Sequence, residues 1–286
     1  MGTNLNYSLL RQSLNELAAQ YNDAYLQTDP VAFVHRYSDP IDQEVVGWVS
    51  AAFAYGRVAG IFRTLETIFS EFSQRPAQDL RDWRTEKWLR AFGKFSHRFS
   101  NAGDLVTLLF LVHRILRTYG SLGTFFEVCW VESDGTVKGV LTRAVEKLKQ
   151  FDLAVLKGVY RQAFWYLLPS PKSGSACKRW NLFLRWMVRP ADGIDLGLWD
   201  FLQPSQLLLP LDTHTARLSR LLGLTDRKSA SWKMAEEVTG VLRELDPQDP
   251  VRFDFALSRL GILKICPGKK NARLCKACQL FEICQA

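Results

Sequence analysis

Apolar positions along the chain recur at three- and four-residue spacing with no sustained alternation, a pattern that predicts helices and no extended sheet. Residues 7–26 place Leu9, Leu10, Leu14, Leu17, Ala18 and Tyr21 on one helical face. Asp29-Pro30 opens a second, short helix that Ser38-Asp39-Pro40 ends. The apolar period of residues 43–72 carries Gly56 and Gly60, and predicts two helices parted around Ala54-Tyr55-Gly56-Arg57. Further helices are expected over 105–119, 122–131, 141–151 and 153–168, with Ser133-Asp134-Gly135 as a loop. The expected class is all-α, with about a dozen helices.

Two later stretches join this pattern to chemistry. The turn-rich run LLPSPKSGSACK at 167–178 leads into the apolar helix KRWNLFLRWMV. In LLLPLDTHTARLSRLLGL, residues 207–224, Pro210 and Asp212-Thr213 end one apolar run before Leu218, Leu221 and Leu222 resume at helical spacing. Asp212 or Thr213 is then the N-cap. A carboxylate there accepts from free peptide N–H groups at the positive end of a helix and stays ionised. Capping is its plain role, and catalysis is the sharper one.

Composition narrows the partners. A 286-residue chain that is 47% hydrophobic can fill one large or two packed domains, and its formal charge of +8 favours polyanions. Nucleic acid is the stronger expectation over a membrane, because no apolar run approaches the length of a span and the amphipathic start lacks a secretory core. A cytoplasmic monomer is expected. No G-x-G-x-x-G or G-x-x-x-x-G-K motif occurs, which argues against a nucleotide cofactor. Residues 77–101 and their flank interleave Trp83, Trp88, Phe92, Phe95 and Phe99 with Arg and Lys; the first reading is a solvated face over an aromatic stripe, the second a surface that stacks bases.

In a reducing compartment six cysteines are better read as thiols or ligands than as disulfides. Cys266, Cys275, Cys278 and Cys284 follow a C-x8-C-x2-C-x5-C spacing near the end of the chain, which suits a [4Fe–4S] cluster or, alternatively, zinc. Their loop carries Lys269, Lys270 and Arg273, a basic knuckle suited to phosphates. Cys129 reads as a small buried hydrophobe.

Leu211-Asp212-Thr213-His214-x-x-Arg217, the loop with Gly174 and Lys178, and the four cysteines together resemble the helix-hairpin-helix DNA glycosylase superfamily of the endonuclease III type. The whole chain further resembles a bacterial family of unassigned function. The resemblance implies a two-lobed helical fold, with 31–189 forming one lobe that ends in the hairpin and 1–30 plus 190–286 forming the other. It implies base-excision repair of double-stranded DNA: Asp212 as the catalytic carboxylate, Lys178 as the nucleophile of an associated AP-lyase activity, and an iron–sulfur cluster on the four cysteines. Gly174, Ser175 and Ala176 would hold a phosphate, His214 and Arg217 would support the site, and Tyr55 and Arg57 fall where related enzymes keep wedge and pocket residues. Lys172 competes with Lys178 as the amine. The sequence departs from the superfamily in a longer loop after Pro169, in Ala176 where a second glycine is usual, and in a first cysteine gap of eight rather than six residues. A protein that keeps the fold and binds or senses damage without cleaving is the alternative.

Overall fold

The computed structural model describes residues 5–271 and 273–285. Its helices are α1 (Tyr7–Gln20), α2 (Pro40–Ala52), α3 (Val58–Phe69), α4 (Pro76–Arg81), α5 (Thr85–Phe92) and α6 (Ala102–Tyr119). They continue with α7 (Leu122–Glu127), α8 (Lys138–Lys149), α9 (Lys178–Val188), α10 (Thr213–Leu221), α11 (Trp232–Leu245) and α12 (Asp254–Ile262). The only sheet among the described residues is a hairpin of β1 (Ser96–His97) and β2 (Ser100–Asn101), antiparallel. No helix of the described residues is long and apolar enough to cross a membrane.

The chain divides into two compact units, 29–170 and 1–28 with 171–286. In the first, α6 is the central strut and packs against α4, α5 and α7. Its stretch from Asp104 to Val112 is buried on every side. A capping box starts it: Asn101 accepts from Asp104 N–H, and Asp104 accepts from Asn101 N–H. Helix α2 carries two buried carboxylates that cap its neighbours. Asp42 accepts from Ala77 N–H at 2.7 Å, in the first turn of α4. Glu44 accepts from Leu122 and Gly123 N–H at 2.8 and 3.0 Å, at the start of α7. Each fills donors that a helix start leaves open, so the two acids fix where α4 and α7 begin.

In the second unit, Leu10, Leu14 and Leu17 of α1 meet Met234, Val238 and Leu242 of α11 and Leu257 and Leu260 of α12 in one core. The first helix of the sequence is therefore sealed by elements more than two hundred residues away. Helix α9 is buried along nearly its whole length, from Trp180 to Val188. Within it Arg185 pairs with Asp195 at 3.1 Å and with Asp254, and just past its end Arg189 pairs with Asp195 and with Asp249 at 2.8 Å.

These pairs explain why α9 belongs with 171–286. The expected boundary at 189 lies instead after Ser170, because the partners of Arg185 and Arg189 all come later in the chain. A second difference concerns 153–168, expected as one helix. It forms two 3-10 turns, Ala154–Leu156 and Gln162–Tyr166, with Gly158 between them at φ 83°, a conformation that ends a right-handed helix. The break predicted around Ala54–Arg57 falls between α2 and α3.

Candidate functional site

Asp212 is the N-cap of α10, as its place after Pro210 predicts. Its Oδ1 accepts from His214 N–H at 2.8 Å, Thr215 N–H at 2.9 Å and the Thr215 hydroxyl at 2.8 Å, while its own N–H donates to Thr215 Oγ1. The carboxylate is thereby locked in one rotamer at a helix tip. Burial pushes its pKa up, but the Lys178 ammonium, the Thr215 donors and His214 outweigh that and hold it below the usual carboxylate range. The Lys178 charge thus lies within electrostatic reach of Asp212, although the two are thirty-four positions apart in sequence.

Lys178 reaches this place as the first residue of α9. A 3-10 turn, Pro171–Ser173, precedes Gly174 at φ 76°, a left-handed position natural to glycine. Gly174 accepts from Trp232 N–H at 2.9 Å, which ties the turn to the start of α11. Cys177 then takes φ 48° and ψ 37° as N-cap, and gives no side-chain cap to the helix. Asn181, buried, donates from Nδ2 to Ala176 C=O at 3.0 Å and fixes the turn from inside. Ser175 Oγ accepts from Cys177 N–H at 3.2 Å.

The turn therefore differs from an outward-facing phosphate grip at two positions. The Ala176 side chain joins the core instead of facing solvent, and Cys177 is buried, its thiol pushed up to about 12. Burial makes Cys177 an inert protonated thiol at neutral pH. Gly174 and Lys172 are exposed; Lys178 is half-buried, which makes it the more constrained of the two amines.

His214 and Arg217 act as struts. A Cβ on Gly261 of α12 would stand 2.6 Å from His214 Cβ, so glycine lets α12 approach the start of α10. The Arg217 guanidinium lies against Gly268, which has φ 81° and would bring a Cβ within 2.6 Å of Arg217 Nη1. Through that contact α10 braces the loop of the cysteines.

Cys266, Cys275, Cys278 and Cys284 are free thiols that line one cavity of about 230 Å³, together with Leu218, Leu222 and Leu260. Burial pushes the Cys278 thiol up, and charge on Cys275, Cys266 and Cys284 would push it further, as thiols facing a common space must. Asn271 N–H donates to Cys275 Sγ at 3.4 Å. Among the described residues no group of three His, Cys, Asp or Glu is drawn together to hold a single metal ion. Lys270 donates to Cys284 C=O at 3.1 Å and lies over the Phe281 ring, so it braces the knuckle; Lys269 and Arg273 remain exposed.

Tyr55 and Arg57 belong to the unit of residues 29–170. The Tyr55 hydroxyl donates to His97 C=O at 3.1 Å and bonds Ser100 Oγ at 2.8 Å, pinning the ring to the hairpin. Arg57, at the start of α3, is exposed and lines a cavity of about 640 Å³ with Arg63, Lys94 and Arg98. Arg63 carries no motif in the sequence, and only the fold brings it to Arg98.

The model of the family of unknown function DUF2400 matches residues 29–263. The chain belongs to that family. The match begins where the 29–170 unit begins, takes in Lys178 and Asp212, and stops before Cys266, so the cysteine knuckle lies outside it. No curated protein and no solved structure matches the chain.

Proposed function

We propose that this member of DUF2400 is a DNA glycosylase that excises a damaged or mismatched base from double-stranded DNA, with AP-lyase activity through Lys178. The observation that carries the reading is that Lys178, first residue of α9, lies within electrostatic reach of the capped, ionised Asp212 at the start of α10. As a base departs, positive charge grows on the deoxyribose, and a fixed carboxylate lowers that barrier because its own orientation needs no rearrangement. The Lys178 ammonium gives its proton to solvent and the amine bonds to C1′ while the C–N glycosidic bond breaks. That bond's electron pair leaves with the base, which takes up a proton from water. Ring opening then gives an imine between Lys178 and C1′, and loss of a C2′ proton expels the 3′ phosphate and nicks the strand.

The four thiols support a [4Fe–4S] group held by Cys266, Cys275, Cys278 and Cys284. The four thiols line one chamber, and zinc on the same thiols is the alternative. When bound, such a group would supply structural closure of the basic knuckle. A brown protein with a broad visible band supports it; a colourless one containing zinc removes it.

The test is Asp212→Asn, assayed on duplexes that each carry one lesion. Asparagine keeps the cap, so the protein should fold and bind, while cleavage falls by about 10²–10³-fold. Asp212 is held ionised below the usual carboxylate range, so protonation of this carboxylate should not be what limits excision until pH falls below about 4. Borohydride should trap a covalent adduct that Lys178→Ala abolishes. Unchanged cleavage in Asp212→Asn would refute the reading, and binding with no cleavage by the wild type on any lesion would favour the sensing alternative.

A further inference from the structure

The unit of residues 29–170 holds a second, separate arrangement. Its cavity is lined by Arg57, Arg63, Lys94 and Arg98, with no acidic residue in the lining. Among the described residues no carboxylate forms an ion pair with any of the four. Four exposed cations converging without a counter-ion raise the local potential and attract an anion from outside. The first turn of α3, which has no side-chain cap, opens on the same space through Ala59 and Gly60.

The floor is neutral and rigid. His97 is buried, and its Nε2 lies 2.9 Å from Tyr55 C=O, an atom that only accepts. Nε2 therefore carries the proton and Nδ1 accepts from Thr64 Oγ1 at 2.7 Å. Burial lowers the His97 pKa, which keeps the ring uncharged. Arg98 stands at φ 56° in the two-residue turn between β1 and β2, the place where hairpins usually carry glycine. Its side chain lies across Gly56, which at φ 102° leaves the room that a Cβ would take, 2.9 Å from Arg98 Cδ. An arginine in a left-handed position costs more than a glycine there would, and its guanidinium is what the glycine would lack.

Beside the cations stands an aromatic wall. Tyr55 and Phe99 are the chain neighbours of Gly56 and Arg98, and their rings stack at 4.7 Å and 8°. Tyr166 meets Phe99 edge-on at 4.4 Å. Phe99, at the hairpin tip, and Tyr166, at the end of the 3-10 turn of 162–166, are 46% and 52% exposed, so two adjoining rings are open to solvent. Arg161 donates to Phe99 C=O at 2.7 Å and to Asp104, holding the tip in place.

We propose that this cavity and wall bind an unpaired nucleic-acid strand, with backbone phosphates among Arg57, Arg63, Lys94 and Arg98 and a base stacked on Phe99 and Tyr166. Neighbouring cations and exposed rings match the alternation of phosphate and base along a strand whose bases are free to stack. A lone phosphate would use the cations but leave the rings idle, and a duplex hides its base faces. The inference goes beyond excision and does not rest on it, since none of its residues lies in the unit of Asp212 and Lys178.

Fluorescence anisotropy of the full chain with a labelled oligo-dT of about ten nucleotides, beside a duplex of equal length and inorganic phosphate as competitor, tests it. The oligomer should bind more tightly than the duplex. Arg63→Ala with Lys94→Ala should weaken it and lower the slope of log affinity against log salt by about 1.4, at about 0.7 per phosphate contact on single strands. Phe99→Ala should weaken it about five- to a hundredfold at an unchanged salt slope, and Phe99→Trp should restore it. All three side chains are exposed, and thermal melts should show the variants folded. The proposal is overturned if Phe99→Ala binds like the wild type, if duplex and oligomer bind equally, or if phosphate binds and the oligomer does not. Loss of excision in Asp212→Asn with oligomer binding intact separates the two proposals.

Discussion

The two units treat charge in opposite ways. In the unit of 1–28 and 171–286, buried acids face buried cations: Asp195 lies between Arg185 and Arg189, and Asp254 meets Arg185. At the candidate active site the same unit sets the Asp212 carboxylate near the Lys178 ammonium. In the unit of 29–170, Asp29, Asp42 and Glu44 are buried and accept from peptide N–H groups at helix starts, while buried Asp104 is joined to Arg161. Where helix dipoles satisfy the acids, cations stay available for the surface, as at the cavity of Arg57, Arg63, Lys94 and Arg98. Internal pairing holds the charges of one unit inside its fold, whereas in the other the cations of that cavity face no carboxylate of their own lining.

The largest effect should come from breaking the ion network. Asp195→Ala leaves Arg185 and Arg189 each short of a partner inside the protein, and removing one member of a buried pair costs about 3–5 kcal/mol. Urea or guanidinium unfolding should report a fall of that size. A loss under about 1 kcal/mol would mean that Asp249 and Asp254 suffice, and that pairing matters less here than the comparison holds.

Asp42 sharpens the other side. Burial raises its pKa, opposed by the Ala77 N–H that it accepts. A group whose folded pKa lies above its unfolded value contributes stability at acid pH and loses it as pH rises through the folded pKa. Asp42→Asn keeps an oxygen for Ala77 N–H and removes the charge. Relative to the wild type it should gain stability as pH climbs from about 4 toward neutrality, and melting curves of both proteins across that window check the sign. A variant that loses ground with rising pH would show that the peptide N–H groups hold the ionised acid more firmly than burial opposes it.

How much of this could be read from residues alone follows from the range of each signal. The cap at Asp212 was legible because Pro210, the acid and the helical leucines lie within a dozen positions. The break between α2 and α3 was legible for the same reason, through Gly56. The two 3-10 turns of 154–166 went unread because Leu156, Phe164 and Leu167 keep a helical period although Gly158 interrupts it. The hairpin hid behind its own strain: Arg98 occupies the position where glycine would announce a turn. The cavity had no local trace, since Arg57 and Arg63 meet Lys94 and Arg98 only after α3 and the hairpin fold together. Helix α9 was placed in the wrong unit because its partners Asp195, Asp249 and Asp254 cannot be told from surface acids without the fold.

The smallest expected effect on stability is also the one that best separates structure from binding. Arg98→Gly relieves a left-handed residue, worth about 1–2 kcal/mol, but gives the unfolded chain more freedom, worth about 0.5–1 kcal/mol in the other direction. The melting midpoint should therefore stay put or rise slightly. Affinity for oligo-dT should fall all the same, because a phosphate contact is lost while Phe99 keeps its place through the Arg161 bond to its carbonyl. If the glycine variant were both less stable and unaltered in binding, Arg98 would be a packing residue of the hairpin, held over Gly56 for its methylenes. The contrast between a self-compensated unit and one that awaits an anion would then rest on Arg57, Arg63 and Lys94.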